Sequence, residues 1–252
     1  MLVGLLTALG VGGATAIGAL IGLIFKRPSH KFQDGILSFA AGVMLCAAVV
    51  GLILPSIDTT KPWSIAVTIG GVFVGALFLN LLDRLVPHMH KLTGVDVENH
   101  PDRGNKLSRV LLFVIAIAIH NLPEGIAAGV GFATGNDTQA LIVAGGIALQ
   151  NIPEGMVIIA PMLAVGISKK RTILIALMTG LVEVVGTFIG YFAGSISSVI
   201  LPFALAFAGG TMLYVVSDEM IPETHSHGNE RLATYTLLLG FCLMLVFDFF
   251  IG

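Results

Sequence analysis

The feature that most constrains this chain is a series of eight apolar runs, each about 20 residues or longer. A helix that crosses a bilayer needs about 20 apolar residues, whereas a strand of a membrane barrel needs about ten and alternates in polarity. The runs therefore predict an all-α integral membrane protein. We expect a single transmembrane domain, 1–252, with eight spans at about 2–25, 33–56, 64–87, 107–132, 139–166, 171–195, 199–222 and 231–251.

The composition leaves little of the chain for anything outside the membrane. Hydrophobic residues make up 56% of the sequence and charged residues 11%, whereas a soluble domain has about 25% charged residues. The longest polar connection, at 88–106, carries several histidines but is too short to form a domain. A soluble binding module is therefore excluded.

The lysines and arginines predict how the chain is oriented in the membrane. With eight spans, twelve of the 13 lie on one side, in the connections or at the ends of the spans, and only Lys61 lies on the other. Such residues concentrate in cytoplasmic loops. We therefore predict a multi-pass protein of the cell membrane (inner or plasma membrane), with both termini outside and the connection 88–106 in the cytoplasm.

Two similar polar motifs interrupt the fourth and fifth apolar runs: "HNLPEG" at 120–125 and "QNIPEG" at 150–155. In each motif the first and second positions share a helix face with the glutamate. The proline removes a backbone hydrogen bond, which predicts that helices 4 and 5 are kinked beside a polar cavity. The glycine that follows each glutamate is expected to leave space there. Because the two helices are antiparallel, the motifs can meet near the midplane, as in transporters with inverted repeats.

Three glutamates, Glu124, Glu154 and Glu183, fall near the middle of spans four, five and six. A charge at the bilayer centre costs about 3 kcal/mol on insertion scales, and no lysine or arginine lies nearby in a span to form an ion pair. One alternative is that these carboxyls are protonated and hydrogen-bonded between helices. We favour the other, that they bind a cation that comes and goes.

The available donors narrow the identity of that cation. Imidazole, carboxylate and amide groups without thiolates suit Zn²⁺, Fe²⁺, Mn²⁺ or Co²⁺ and disfavour Cu⁺, and Mg²⁺ usually prefers oxygen ligands and retained waters. Three carboxylates exceed the charge of one divalent ion, so a second ion or a proton is expected. The predicted metal-binding residues are His120, Asn121, Glu124, Gln150, Asn151, Glu154 and Glu183.

These motifs resemble those of the ZIP family of divalent-metal transporters, and the bacterial members in particular. The resemblance extends to "FAAGVMLCAAVVGLILP" in the second span and "SDEMIPETH" at the end of the seventh, and so covers nearly the whole chain. It implies uptake of divalent metal into the cytoplasm, with Zn²⁺ the first expectation and Fe²⁺, Mn²⁺, Co²⁺ and Cd²⁺ further ones. It also implies a binuclear site between helices 4, 5 and 6 and an elevator-like alternating-access movement.

The resemblance also implies how the predicted ligands are shared between two metal positions. One ion would lie among His120, Glu124, Gln150 and Glu154, and the second among Asn121, Glu124, Asn151, Glu154 and Glu183, with Glu124 and Glu154 bridging. Two residues depart from the family pattern. Many members have histidine where Gln150 stands, and some have aspartate where Asn151 stands, so the second position has one fewer charge here.

Polar residues nearer the two membrane surfaces are candidates for the path of the metal. Acidic groups at a mouth concentrate cations. The candidates for the entrance are Asp58, Asp248 and Met44, and those for the cytoplasmic exit are His88, His90, Asp218, Glu219, His225 and His227. We expect Asp34, Asp83 and Asn80 to be helix caps or interfacial residues.

Two other functions are consistent with buried carboxylates in a membrane protein. An intramembrane metal-dependent hydrolase would keep a fixed metal to activate water, but its His-Glu-x-x-His pattern is absent. A proton-coupled carrier of organic solutes would need a recognition pocket, and no aromatic or basic cluster lies in mid-membrane. We therefore predict a transporter and no enzyme. Glycines four residues apart are expected to pack helices within one chain, which leaves a homodimer open; the pairs begin at Gly18, Gly71, Gly186 and Gly190.

Overall fold

The computed structural model describes residues 2–25, 29–58, 61–85, 103–196 and 200–251, and these contain helices and no strand. The helices are α1 Leu2–Gly22, α2 His30–Cys46, α3 Ser64–Leu85, α4 Arg103–Ala133, α5 Asp137–Ala164, α6 Lys169–Ser195, α7 Leu201–Val215, α8 Ile221–Thr224 and α9 Glu230–Ile251. His88 and His90, and most of the connection that carries them, lie outside the described residues.

Two of the long helices change their winding along their length. Helix α2 continues into a π-helical segment, Ala47–Ile53, and then a 3₁₀ turn, Leu54–Ser56. Helix α7 continues into a second π-helical segment, Val216–Met220, which leads into α8. The hydrophobic runs did not reveal these segments, because the apolar pattern continues through them. Such segments are rare and occur frequently at functional sites.

Seven helical stretches in the described part of the chain are long and apolar enough to cross a membrane. They are Gly4–Gly22, His30–Ser56, Ser64–Leu82, Asp137–Ala164, Lys169–Ser195, Leu201–Thr224 and Glu230–Ile251. Helix α4 is a further long helix of 31 residues with Pro123 in its interior, and α5 contains Pro153 and Pro161. The protein is therefore a helical, multi-pass membrane protein.

The helices pack as two groups. In the first bundle, α4 packs along α6, and α1 packs along both α5 and α6. In the second bundle, α3 packs along α7, and α2 packs along α9. The bundles meet chiefly where α5 contacts α2 and where α4 contacts α7.

Glycines bring the backbones together inside each bundle. A Cβ atom at Gly18 would collide with the Ile152 carbonyl oxygen, and one at Gly190 would collide with that of Ile126. In the second bundle, a Cβ at Gly75 would meet the backbone of Phe207 in the same way. The prediction that the spaced glycines pack helices within one chain is confirmed.

The contact between the bundles has a different character. A Cβ at Gly51 would meet side-chain atoms of Val143, and the three atoms nearest to one at Gly146 would be side-chain atoms of Met244 and Val43. Side chains can change rotamer as surfaces slide, whereas interlocked backbones cannot. The structure is thus tightly joined within each bundle and joined through side chains between them.

Two polar residues near the helix ends, Asp34 and Asn80, do not cap helices. Ser29 caps α2 by accepting a hydrogen bond from the Phe32 backbone N–H, at 3.2 Å. Asp34 lies inside α2 and is buried. Asn80 lies inside α3 and donates to the Tyr214 hydroxyl at 2.8 Å, which joins α3 to α7. Asp34 and Asn80 therefore do not cap helices, because both bond to other elements. The alternative that they are interfacial residues stays a prediction, and the side chain of Asp83 lies outside the described residues.

Candidate metal centre

The seven predicted metal-binding residues lie on three helices of the first bundle. Helix α4 carries the first motif, α5 carries the second, and α6 carries Glu183. Six of the seven are buried, and Asn121, Gln150, Asn151 and Glu183 have no exposed surface. Glu154 is half-buried. Polar groups are costly to bury without partners, so this concentration of polar side chains needs an explanation beyond packing.

The glycine after each glutamate fixes how the neighbouring helix packs. Gly125 lies against the backbone carbonyl of Glu183 in α6, and Gly155 lies against that of Thr15 in α1. The expectation that these glycines leave space beside the glutamates is therefore wrong, because a neighbouring backbone fills that space. Gly125 brings α6 close to α4, which places Glu183 beside Glu124, and Gly155 brings α1 close to α5.

The charges of the buried carboxyls act on one another. Glu154 and Glu183 both repel the charge of Glu124. Glu154 is in turn attracted by His120 and repelled by Glu219. Like charges in a low-dielectric interior interact much more strongly than in water. The group therefore favours the arrival of positive charge.

Several buried polar atoms of the motifs have no hydrogen-bond partner among the described residues. They are both side-chain oxygens of Glu124, both polar side-chain atoms of Asn121 and of Gln150, and Oδ1 of Asn151. The Gln150 amide faces the Glu124 carboxylate but does not meet it in hydrogen-bonding geometry. Leaving a buried polar group unsatisfied costs about 1–3 kcal/mol. Oxygen donors left unsatisfied together are suited to bind a cation.

Glu183 differs from Glu124 in having a donor. The side-chain nitrogen of Asn151 lies 2.6 Å from one carboxylate oxygen of Glu183 and 2.7 Å from the other. The same nitrogen donates to the backbone carbonyl of Val11 at 3.2 Å. The second motif is thereby tied to both α6 and α1.

His120 lies at the contact between the two bundles. Its Nε2 is 2.9 Å from Oε1 of Glu219, which comes from the π-helical segment after α7. A cleft of about 70 Å³ lies here, lined by His120, Glu154, Glu219 and Glu223 together with apolar side chains. A water needs about 10–15 Å³ of such volume, so the cleft can hold a cation with some of its waters.

Glu223 is a residue of this cleft that the sequence analysis missed. It follows Glu219 by four residues, a spacing that places two side chains on one helix face. That spacing was therefore a usable signal. Asp218, the other acidic candidate of this segment, is exposed.

The donors are close together but do not form a preassembled coordination shell. In the ranges that the structure describes, no three His, Cys, Asp or Glu side chains converge to hold a metal. His120 engages Glu219, and Glu183 engages Asn151. The assignment of these residues as metal ligands stays a prediction.

The entrance candidates have local partners. Asp58 forms an ion pair with Lys61 at 2.8 Å. Asp248 in α9 accepts from Nε2 of Gln139 in α5 at 3.4 Å, which links the two bundles. Met44 is fully buried in the apolar core, which favours a packing role for it.

The described exit histidines dock the connection between α8 and α9. The Nδ1 of His225 is 2.8 Å from the Ile221 carbonyl oxygen. The Nδ1 of His227 is 3.0 Å from Oδ1 of Asp34, and its ring stacks on that of His30 with centroids 4.7 Å apart. Asn229 donates to the other oxygen of Asp34 at 2.8 Å. The contacts of His227 are therefore with the start of α2.

The fold and the buried donors together define a class: a multi-pass helical membrane protein with a central cluster of metal-binding side-chain types. Comparison with known proteins gives the family. The sequence model of the ZIP Zinc transporter family matches residues 97–248. The chain belongs to the ZIP family of zinc transporters.

Relatives of this chain are similar to it over 95% or more of its length. It is 43% identical to Zinc transporter GufA of Myxococcus xanthus, with 99% of each chain covered. It is 40% identical to Zinc transporter ZIPB of Bordetella bronchiseptica, over 95% of this chain and 78% of that one. It is 33% identical to Zinc transporter ZupT of Enterobacter sp. (strain 638), over 97% of this chain and 95% of that one.

Proposed function

We propose that this protein transports divalent transition metals across the membrane into the cytoplasm, with Zn²⁺ as the first substrate and Fe²⁺, Mn²⁺, Co²⁺ and Cd²⁺ as further ones. The observation that carries the proposal is the group of buried, unsatisfied oxygen donors between α4 and α5. Its relatives are named zinc transporters. The alternative of an intramembrane hydrolase has no support from them.

The first metal position lies among His120, Glu124, Gln150 and Glu154. Glu124 supplies two oxygens without hydrogen-bond partners, and Gln150 faces it. A divalent ion there would offset the repulsion between Glu124 and Glu154. The predicted second position, among Asn121, Asn151 and Glu183 with the same two bridging glutamates, differs because Glu183 already has a donor.

Alternating access would come from movement of the first bundle against the second. The interlocked backbones within each bundle and the side-chain contacts between them support a movement of this kind. Helix α4 carries His120 in the first bundle, whereas Glu219 belongs to the second. The contact between His120 and Glu219 would form in the state in which the metal site opens to the cleft. It would break when the two bundles move apart. Glu219 and Glu223 would then receive the released ion on the cytoplasmic side.

The proposal includes the predicted topology of eight spans, with both termini outside and the basic connections in the cytoplasm. It also includes the predicted location, the inner or plasma membrane of the cell. Cysteine residues introduced into successive connections, labelled with an impermeant thiol reagent, measure this directly. Labelling of the α5–α6 connection from outside the cell would contradict it. A homodimer is a further prediction, which crosslinking in native membranes measures.

Uptake of radioactive zinc into proteoliposomes tests the transport function. We expect saturable uptake by the wild-type protein and a loss of more than about tenfold in Glu124→Ala and Glu154→Ala, since each removes a ligand worth more than about 1.4 kcal/mol. Glu230→Ala, which removes an exposed acid at the start of α9, is the matched control and should transport normally. A wild-type protein that binds zinc but never moves it would overturn the proposal.

A further inference from the structure

The side-chain nitrogen of Asn151 faces three oxygen acceptors. They are the two carboxylate oxygens of Glu183, at 2.6 and 2.7 Å, and the carbonyl oxygen of Val11, at 3.2 Å. An amide has a donor end and an acceptor end. If the amide oxygen of Asn151 faced these three acceptors, four oxygen acceptors would lie together without a donor. The surroundings therefore require the amide nitrogen at this position.

We propose that the Asn151 amide replaces the second metal ion, so that the central site of this protein holds one transported ion where the binuclear pattern holds two. The inference rests on the proposed function, since it concerns the same central site. It makes Asn151 the residue that determines how many ions the site holds. Glu183 then serves to position the second motif and is not a metal ligand.

The hydrogen bonds of the two buried glutamates support this division. Glu183 and Asn151 have no exposed surface, so bulk water does not reach the Glu183 carboxylate, and the amide reaches both of its oxygens. Glu124 is also buried, yet neither of its oxygens has a hydrogen-bond partner in the described part of the chain. The negative charge that still needs a cation is therefore that of Glu124 and its neighbour Glu154. One divalent ion balances those two charges.

The bond to Val11 strengthens the argument. It fixes the amide from a second direction, because Val11 belongs to α1 and Glu183 belongs to α6. Helices α1 and α6 meet here at Gly12 and Gly180, whose backbones touch. For a metal ion to bind both oxygens of Glu183, the amide would have to leave this position and lose the bond to Val11 as well.

Asn151→Asp reverses the chemistry at this point with little change of shape. A carboxylate oxygen would then face the two oxygens of Glu183 and the carbonyl of Val11. Four acceptors in a buried site require a cation between them. We therefore expect the variant to gain a second metal position beside the first.

The experiment counts zinc ions bound per chain by equilibrium dialysis of purified protein with zinc chloride, followed by elemental analysis. Each protein is compared with the same protein carrying Glu124→Gln in addition. Zinc bound to loop histidines contributes equally to both counts and cancels when one count is subtracted from the other. We expect Glu124→Gln to lower the zinc count by about one ion in the wild-type background and by about two in the Asn151→Asp background. Two-metal sites hold ions roughly 3.5–4 Å apart on shared ligands, so loss of the shared Glu124 should release both ions.

Glu183→Gln in the otherwise wild-type chain is the second test, and it does not depend on the folding of the aspartate variant. We expect its zinc count to equal that of wild type. A wild-type difference of two ions, with one lost in Glu183→Gln, would overturn the inference. A folded Asn151→Asp protein that still binds one ion would overturn the assignment of Asn151 as the deciding residue.

The outcome for the inference can be separated from the outcome for transport. Absence of zinc uptake by wild type in proteoliposomes would overturn the proposed function whatever the zinc count. Normal uptake with two central ions would overturn only the present inference. Zinc uptake by wild type, with one central ion per wild-type chain and an unchanged zinc count in Glu183→Gln, would support both.

Discussion

Replacing Gly155 by alanine tests whether the close contact between α1 and α5 holds the metal centre together. A Cβ at Gly155 would collide with the Thr15 carbonyl oxygen and approach the backbone nitrogen of Ala19. Backbone atoms cannot move aside as a side chain can, so α1 must shift. Overpacking of this kind costs about 1–3 kcal/mol.

Gly145→Ala is the matched control on the same helix. A Cβ there would meet no atom within 4 Å, and the residue is exposed. Alanine is favoured over glycine in a helix interior by about 0.5–1 kcal/mol. That gain applies to both variants and cancels in their comparison, so the difference between them isolates the collision with α1.

Thermal unfolding followed with a thiol-reactive fluorescent dye is a suitable assay, because Cys46 is buried and becomes reactive on unfolding. Cys242 is exposed and is replaced by serine in all proteins. For a chain of this size 1 kcal/mol shifts the melting temperature by about 2–4 °C. We therefore expect Gly155→Ala to melt roughly 2–12 °C below Gly145→Ala. Equal melting temperatures would refute the close contact between α1 and α5.

Three further predictions concern the cytoplasmic side and the pH response. Glu219→Gln should lower the maximal rate of zinc uptake about tenfold, because it removes the negative charge beside His120; an unchanged rate, with Glu230→Gln as control, would contradict the release path. Asp34→Ala should destabilise the protein by about 1–3 kcal/mol, because His227 and Asn229 lose their acceptor; a melting temperature equal to that of wild type would show that this docking contributes nothing. Zinc affinity should fall as pH is lowered from about 8 to 5, since protons compete with the metal for imidazole and carboxylate ligands; a flat isothermal titration series would rule that out.

The sequence could point to this group of buried polar residues because the membrane makes polar residues conspicuous. In a span, a glutamate such as Glu124 has no routine structural use, and its spacing from His120 places both on one helix face. Glu223 was missed because it follows the apolar run rather than interrupting it. The cap role considered for Asp34 was wrong because its partner, His227, lies far away in the sequence and reaches it only through the fold.

The sequence by itself determined that this chain is a helical membrane protein with a central group of carboxylates, an imidazole and amides, because the hydrophobic runs and the repeated motif are local patterns. Only the tertiary structure decided which of these groups serve one another. The pairing of Asn151 with Glu183, and of His120 with Glu219, depends on how neighbouring helices are rotated and how closely they approach. Glycine contacts such as that of Gly125 with the Glu183 backbone set that approach, and a contact between helices cannot be read from the periodicity of either helix alone.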